Sequence, residues 1–436
     1  MRGRHVRDGR VLLLGLSVGW LWAGCAAALD APTVTSVPGR EDLTVLSYRA
    51  HVRAGLSDPL TVELPDGVDA ALIEVAGDRG QFRLAQLQTP SGRDAVESGG
   101  FVTRDAREVD GLVDWLYPNS PTQVLEGGRY LLRFTALGAG GRVVDDEDVT
   151  VRLYTRASAG AGGAIKLDVL VADDALGGGG DVDGVAAGLV TRVATLYAQA
   201  GMSIADYTAA TVHLGASALP LDGGRLSAAS LLMLQSALRA GGARADAVHL
   251  VVVRGLDDAG DDVAGYSLGL PGPFSADRPT AAVLVSAATY RSSSGALDTD
   301  GLGTTAAHEI GHYLGLYHTS ERDGSAHDPI GDTPECTSSQ SACGDASNVM
   351  FWTGGGGRNQ LTAGQGVVMR RHPLVVAADP PPLPAADCHG PCNAGDTCVV
   401  LGGQSVCATA CDPQTVPCDS GRCAPSDDGI YVCRAD

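Results

Sequence analysis

Between about Asp42 and Arg156 apolar and polar residues alternate with period two. Leu46, Tyr48, Ala50 and Val52 interleave with Ser47, Arg49, His51 and Arg53, and the pattern returns at Leu60–Leu64, Tyr130–Phe134 and Val149–Leu153. Side chains on a strand point alternately to opposite faces, so each run predicts a half-buried strand, and the Gly, Pro and Asp clusters between them predict turns. A β-sandwich over 42–156 is the natural expectation. Residues 157–164, built from Ala, Gly and one Ser, have too little side chain to pack and read as a linker.

From Ile165 the period changes. Ile165, Leu167, Val169 and Val171 predict a strand, while Val185, Leu189, Val193, Leu196 and Ala200 recur at helical spacing, which together imply an α/β unit over 165–373. Val248–Val253 is almost continuously apolar, as a strand buried on both faces must be, and Ala281–Val285 predicts a further strand. The intervening Gly265–Pro273 suits an edge strand and exit loop, where a peptide could add itself as one more strand. A Pro-rich tether over 374–387 precedes 388–436, where eight cysteines fall in two similar quartets, Cys388, Cys392, Cys398 and Cys407, then Cys411, Cys418, Cys423 and Cys433. Two such small modules cannot bury an adequate core, so disulfides are expected to restrict the unfolded chain instead. Clustered zinc ligands are the alternative.

Composition narrows the function. At 436 residues the chain suggests more than one core. The 51 acidic against 31 basic residues, net charge −20, leave no basic stripe for a phosphate backbone, so nucleic acid is not an expected partner. Arg2, Arg4, Arg7 and Arg10 precede the apolar Val11–Trp22, the pattern of an export signal over 1–24, with a linker over 25–41. Trp22-Ala23-Gly24-Cys25 resembles a bacterial lipoprotein signal, which would lipidate Cys25 and anchor the protein to a membrane; Ala26–Ala28 offers an ordinary cleavage site and a secreted product. Either way, removing Cys25 from the pairing leaves ten of the eleven cysteines, an even number for an oxidising compartment.

The chemistry concentrates in His308-Glu309-Ile310-Gly311-His312-Tyr313-Leu314-Gly315-Leu316-Tyr317-His318. Residues four apart share a helix face, so His308 and His312 can direct imidazole nitrogens at one ion, zinc by ligand type. Glu309 can reach a water in the open coordination position and serve as general base. The helix must then stop, and Gly315 can take the left-handed conformation that ends it and brings His318 in as third ligand. By this chain's own frequencies of His, Glu and Gly, those positions would coincide with probability on the order of 10⁻⁵. Competing readings are core histidines on an amphipathic helix, or a metal site without turnover. Cys336 and Cys343 flank a loop after His318 and are expected to pair.

This stretch resembles the metzincin metalloproteases, whose signature is H-E-x-x-H-x-x-G-x-x-H followed by a methionine turn, here Asn348-Val349-Met350. Gly311–Thr319, Ile330–Pro334 and Leu361–Gln365 are similar to the cytophagalysin/pappalysin family, over about Ile165–Arg371. The resemblance implies a catalytic unit with a mixed sheet and two long helices, endopeptidase activity on protein or peptide substrates, and Met350 beneath the zinc. It also implies Ca²⁺ near the loop of Asp323, Asp328, Asp332 and Glu335, for which a solvated acidic loop is the alternative. The family's tyrosine two residues after the methionine is Trp352 here, and indole lacks the phenol's chemistry. The rival function is a catalytically inactive surface lipoprotein whose flanking domains bind or adhere. Whether 42–156 is a removable propeptide or a lasting accessory domain stays open at this level.

Overall fold

The computed structural model describes residues 31–96, 111–138, 141–177, 180–215, 218–222, 225–258, 261–336, 343–353, 357–381, 396–401, 404–409, 411, 422–425 and 431–434. The expected export segment, Cys25, Cys388, Cys392 and Cys418 lie outside them. The alternating region forms β1 Thr33–Val37, β2 Arg40–Arg53, β3 Leu56–Ser57, β4 Leu60–Leu64, β5 Ala70–Ala76, β6 Gln81–Gln88, β7 Leu112–Tyr117, β8 Gly128–Gly138, β9 Arg142–Val143 and β10 Asp146–Arg156. All pairings are antiparallel, in the order β4-β8-β3-β2-β10-β5-β7, with β1 on β2 and β6 and β9 on β8. The two layers of the expected sandwich are thus one continuous sheet. The short β3 joins them, pairing with β2 through Val52–Ser57 and with β8 through Leu56–Thr135. The two halves face each other over a shared core, where Tyr117 of β7 meets Tyr130 of β8 edge-on at 6.5 Å between centroids.

The second region contains β11 Gly162–Ala172, α1 Val182–Ala198, β12 Met202–Val212, β13 Leu219–Leu221, α2 Ala228–Ala240, β14 Val248–Val253, β15 Leu256–Asp258, β16 Asp261–Asp262, β17 Gly265–Ser267, β18 Val283–Ser286, α3 Thr299–Tyr313, α4 Ala363–Arg371 and β19 Val376–Ala378. Its main sheet runs β12-β11-β14-β18-β17, parallel except for β17, which is antiparallel to β18 at the end of the sheet, where the Gly/Pro pattern places an edge strand. β14 is buried throughout, consistent with its unbroken apolar run. Residues 162–164, within the expected linker, open β11 and pair with β19, which lies within the expected Pro-rich tether. Glycine permits this: a Cβ on Gly162 would meet Pro380 N at 2.6 Å, and one on Gly163 would meet Val375 Cγ1 at 2.6 Å.

Helix α1 starts at Asp181, whose carboxylate accepts the Gly184 amide, and buries Leu189, Val193 and Leu196. It packs on α3, where a Cβ on Gly303 would meet Arg192 Cβ at 2.7 Å and Tyr197 donates its hydroxyl to Ala307 O at 2.9 Å. Helix α3 is buried from Leu302 to Tyr313. A helix covered all round needs every polar side chain on it satisfied, so polar residues there mark chemistry rather than solvation.

The two regions meet through a polar seam. Arg371 donates to the carbonyls of Pro118, Ser120 and Gln123, and Arg40 donates to those of Pro373 and Val375. Glu74, with no exposed surface, accepts from Arg152 at 2.6 Å and from Arg278 of the second region at 2.5 Å. Leu72, Leu116 and Tyr154 of the first sheet join the hydrophobic core of the second region. The described cysteine-rich residues form two hairpins, β20 Asp396–Leu401 with β21 Gln404–Thr409 and β22 Arg422–Pro425 with β23 Tyr431–Arg434. Cys398 stands opposite Cys407 in one, and Cys423 opposite Cys433 in the other, the register a tandem repeat would give.

Candidate metal centre

Helix α3 is capped by Asp298, which accepts the Gly301 amide at 3.0 Å. At its other end Leu316 N donates to Gly311 O at 2.9 Å and Gly315 N to His312 O at 3.0 Å, the paired bonds of a Schellman motif. Gly315 sits at φ +100°, a conformation that costs a Cβ-bearing residue dearly, and a Cβ there would also meet Leu116 Cδ2 at 2.6 Å. The chain therefore leaves the helix sharply, and His318 returns toward His308 and His312.

The three ring centroids lie 4.6, 5.2 and 4.8 Å apart, with ligand atoms all within 4.8 Å of one another. Each outer nitrogen is engaged. His308 Nδ1–H donates to Val349 O at 2.6 Å, and His312 Nδ1–H donates to Leu316 O at 2.7 Å. His318 Nδ1 lies 3.2 Å from Glu321 Oε1. Carbonyl acceptors fix the first two rings as the tautomer whose Nε2 carries a lone pair, and the Nε2 atoms of His312 and His318 approach to 3.2 Å. Three imidazoles with acceptors behind them are the donor set of a catalytic zinc site, so the residues fit that ion.

Met350, fully buried, supports the helix from below. A Cβ on Gly311 would meet its sulfur at 2.6 Å, so the small residue inside the motif is dictated by this contact. Glu309 is held by the edge strand: Ser267 N donates to its Oε2 at 2.7 Å. That closeness needs Gly265, where a Cβ would meet Thr305 Cγ2 at 2.6 Å and Glu309 Cγ at 2.7 Å. The three histidines and Glu309 open onto a cleft of about 270 Å³ shared with Tyr266, Trp352 and Arg358. Trp352 thus lies in the cleft, with Arg322 over its ring at 5.6 Å.

Cys336 and Cys343 are joined, with Cα atoms 5.5 Å apart. The nearby carboxylates of Asp328, Asp332 and Asp345 each have at least one oxygen engaged by the protein, while Asp328 Oδ2 and Asp345 Oδ1 are buried without a hydrogen-bond partner among the described residues. Asp328 accepts from Thr333 Oγ1 at 2.6 Å, Asp345 from Thr319 Oγ1 at 2.7 Å, and Asp332 from Gly364 N at the start of α4 at 2.8 Å. Burial pushes the Asp328 carboxyl up to about 7. His327 lies 3.1 Å from Ser320 Oγ and is not among the clustered imidazoles. Ser267, Glu321 and Arg358 escape sequence reasoning. Only Gly265, inside the edge-strand pattern, carried a signal.

No family model matches the chain. It is 39% identical over 77 residues to a protein named extracellular metalloprotease from Arthroderma benhamiae, covering 14% of this chain and 28% of that relative; the same figures hold for one from Trichophyton verrucosum. The match thus spans little more than a quarter of those relatives. Among solved structures, mirolysin in complex with a small compound aligns with TM-score 0.34 at 19% identity, over 48% of this chain and 91% of that one. Mature mirolysin of Tannerella forsythia with a cleaved peptide gives 0.33 at 20%, over 48% and 90%, and archaemetzincin of Methanopyrus kandleri gives 0.24 at 18%, over 49% and 89%.

Proposed function

We propose that this chain is an exported zinc-dependent endopeptidase of the metzincin type, resembling the pappalysins in motif. The observation that carries it is the convergence of His308, His312 and His318, each backed by an acceptor, beside a carboxylate positioned by the edge of the sheet. Zinc, when bound, supplies a Lewis acid that polarises a carbonyl and acidifies water. Glu309 takes the proton of the attacking water and passes it to the leaving amine, its position set by the Ser267 amide. β17 lies at the end of its sheet above Glu309, where an extended peptide can pair as one more strand. Among the described residues, none of those lining the cleft comes from 42–156. We read this region as a lasting accessory domain, tied to the second region by the Glu74–Arg278 and Arg371 contacts. The extracellular name of the short-matched relatives agrees with export, by secretion or through Cys25.

Purified protein should hold about one zinc and cleave a denatured protein. Glu309→Gln should keep the metal and lose cleavage by at least about 10²-fold. Zinc retention with undiminished cleavage by Glu309→Gln would remove the general base from this reading, and failure of the wild type to bind zinc would remove the reading itself.

A further inference from the structure

Arg358 is 5% exposed, yet it lines the cleft that holds the three histidines. Its contacts are long: Nη1 reaches Val349 O at 3.4 Å and Nη2 reaches Thr305 Oγ1 at 3.4 Å, while Nε has no hydrogen-bond partner. Among the described residues no carboxylate forms an ion pair with it. A buried guanidinium is normally paired, because removing its charge from water costs several kcal/mol, and this chain, with 51 acidic residues, does not lack carboxylates. The cation is held in place with no described carboxylate in salt-bridge contact, the Glu309 charge of the same cleft acting on it through space.

Its position decides what it can do. Nη1 approaches His308 at Nδ1, 3.3 Å away, the ring nitrogen opposite the one that faces the other two imidazoles. An imidazole ring therefore separates the guanidinium from the place of the metal, too far to touch a reacting carbonyl, while Thr305, one turn before Glu309, lies beside it. A charge there can meet only a neighbouring part of a bound peptide.

We propose that Arg358 is a specificity-determining residue that receives a substrate carboxylate, giving the cleft a preference for peptides bearing Asp or Glu beside the scissile bond. The inference rests on the endopeptidase reading above. A guanidinium pairs with a carboxylate through parallel N–H donors, and the Nη groups, whose contacts to Val349 O and Thr305 Oγ1 are long at 3.4 Å, can exchange these for a carboxylate. A carboxylate could arrive there as an acidic side chain or as a peptide's C-terminus, and C-terminally amidated peptides separate the two.

The test is cleavage-site profiling by mass spectrometry of the zinc-loaded full chain on an amidated peptide library. The expected result is enrichment of Asp and Glu at one fixed position within about two residues of the cut. The ratio of kcat/KM for a matched acidic over a neutral peptide should be about 10 to 100 and fall toward 1 in Arg358→Gln, mainly through KM, with partial recovery in Arg358→Lys. Absence of acidic enrichment in the wild type overturns the inference, as does enrichment only in peptides with an unmodified C-terminus, or a ratio unchanged in a folded Arg358→Gln. If Arg358→Gln does not fold, the wild-type profile decides alone. If nothing is cleaved, the endopeptidase reading fails separately. Binding of fluorescein-labelled amidated peptides to the Glu309→Gln chain then decides: a preference of about 10-fold for the acidic peptide upholds the role of Arg358, and equal affinities overturn it.

Discussion

Replacing Gly265 by Ala tests how the edge strand positions Glu309. The new Cβ would stand 2.6 Å from Thr305 Cγ2, about 0.8 Å short of the 3.4 Å at which ordinary contact begins, and 2.7 Å from Glu309 Cγ. β17 cannot retreat, because it is paired with β18, with Ser286 N donating to Ala264 O and Leu268 N to Ala282 O at either end of the strand. The helix side must give. Overpacking of this kind costs about 1–3 kcal/mol of stability. Lengthening the 2.7 Å bond from Ser267 N to the Glu309 carboxylate forfeits a hydrogen bond to a charged group, about 1.5–3 kcal/mol. With a reacting group displaced by a good part of 1 Å, kcat should fall about 10- to 100-fold. The assay is kcat on a fluorogenic peptide, with zinc content and urea midpoint measured on the same sample. Zinc should be retained, since no imidazole touches the new methyl among its nearest contacts. Adding Thr305→Ser removes the nearest colliding atom while keeping the hydroxyl that Tyr290 and Arg358 contact, and should restore part of both stability and rate. A Gly265→Ala protein with wild-type kcat and midpoint, or one inactive only through zinc loss, would refute the reasoning.

Glu321→Gln weakens the acceptor behind His318 and should lower zinc affinity about 10-fold, read by competition with a chromophoric chelator; an unchanged affinity would show that His318 needs no orienting carboxylate. Asp328, raised by burial to about 7 against about 3.9 in an unfolded chain, holds its proton more tightly when folded. Its contribution to stability is present below about pH 4 and lost as the pH rises through 7, so Asp328→Asn should gain on the wild type by up to about 4 kcal/mol between those limits. Parallel urea midpoints for the two proteins at pH 5 and pH 8 would contradict this. Glu74→Ala strands Arg152 and Arg278 at the seam between the two regions and should cost about 3 kcal/mol, visible as a lower denaturation midpoint; a change below about 0.5 kcal/mol would mean that solvent takes over the pairing.

The sequence by itself carried whatever depends on near neighbours. The spacing of His308, Glu309 and His312 is a property of one helix, and Gly315 is needed within three residues of that helix's end. Alternation told strand from helix in both regions, and the Gly/Pro pattern at Gly265–Pro273 marked the edge of the sheet, because a residue's face follows from its position within a single element. What required the tertiary structure joins residues far apart in the chain. Ser267 meets Glu309 across 42 positions, Val349 backs His308 across 41, and Arg358 reaches Thr305 across 53. Gly162–Ala164 and Val376–Ala378 look like tethers when read singly because their small residues pack only when paired with each other. Glu74 carries no signal in its own strand, and its partner Arg278 arrives from the second region, 204 positions away. Local periodicity fixes which groups an element presents; only the packing of one element on another fixes which of those groups meet.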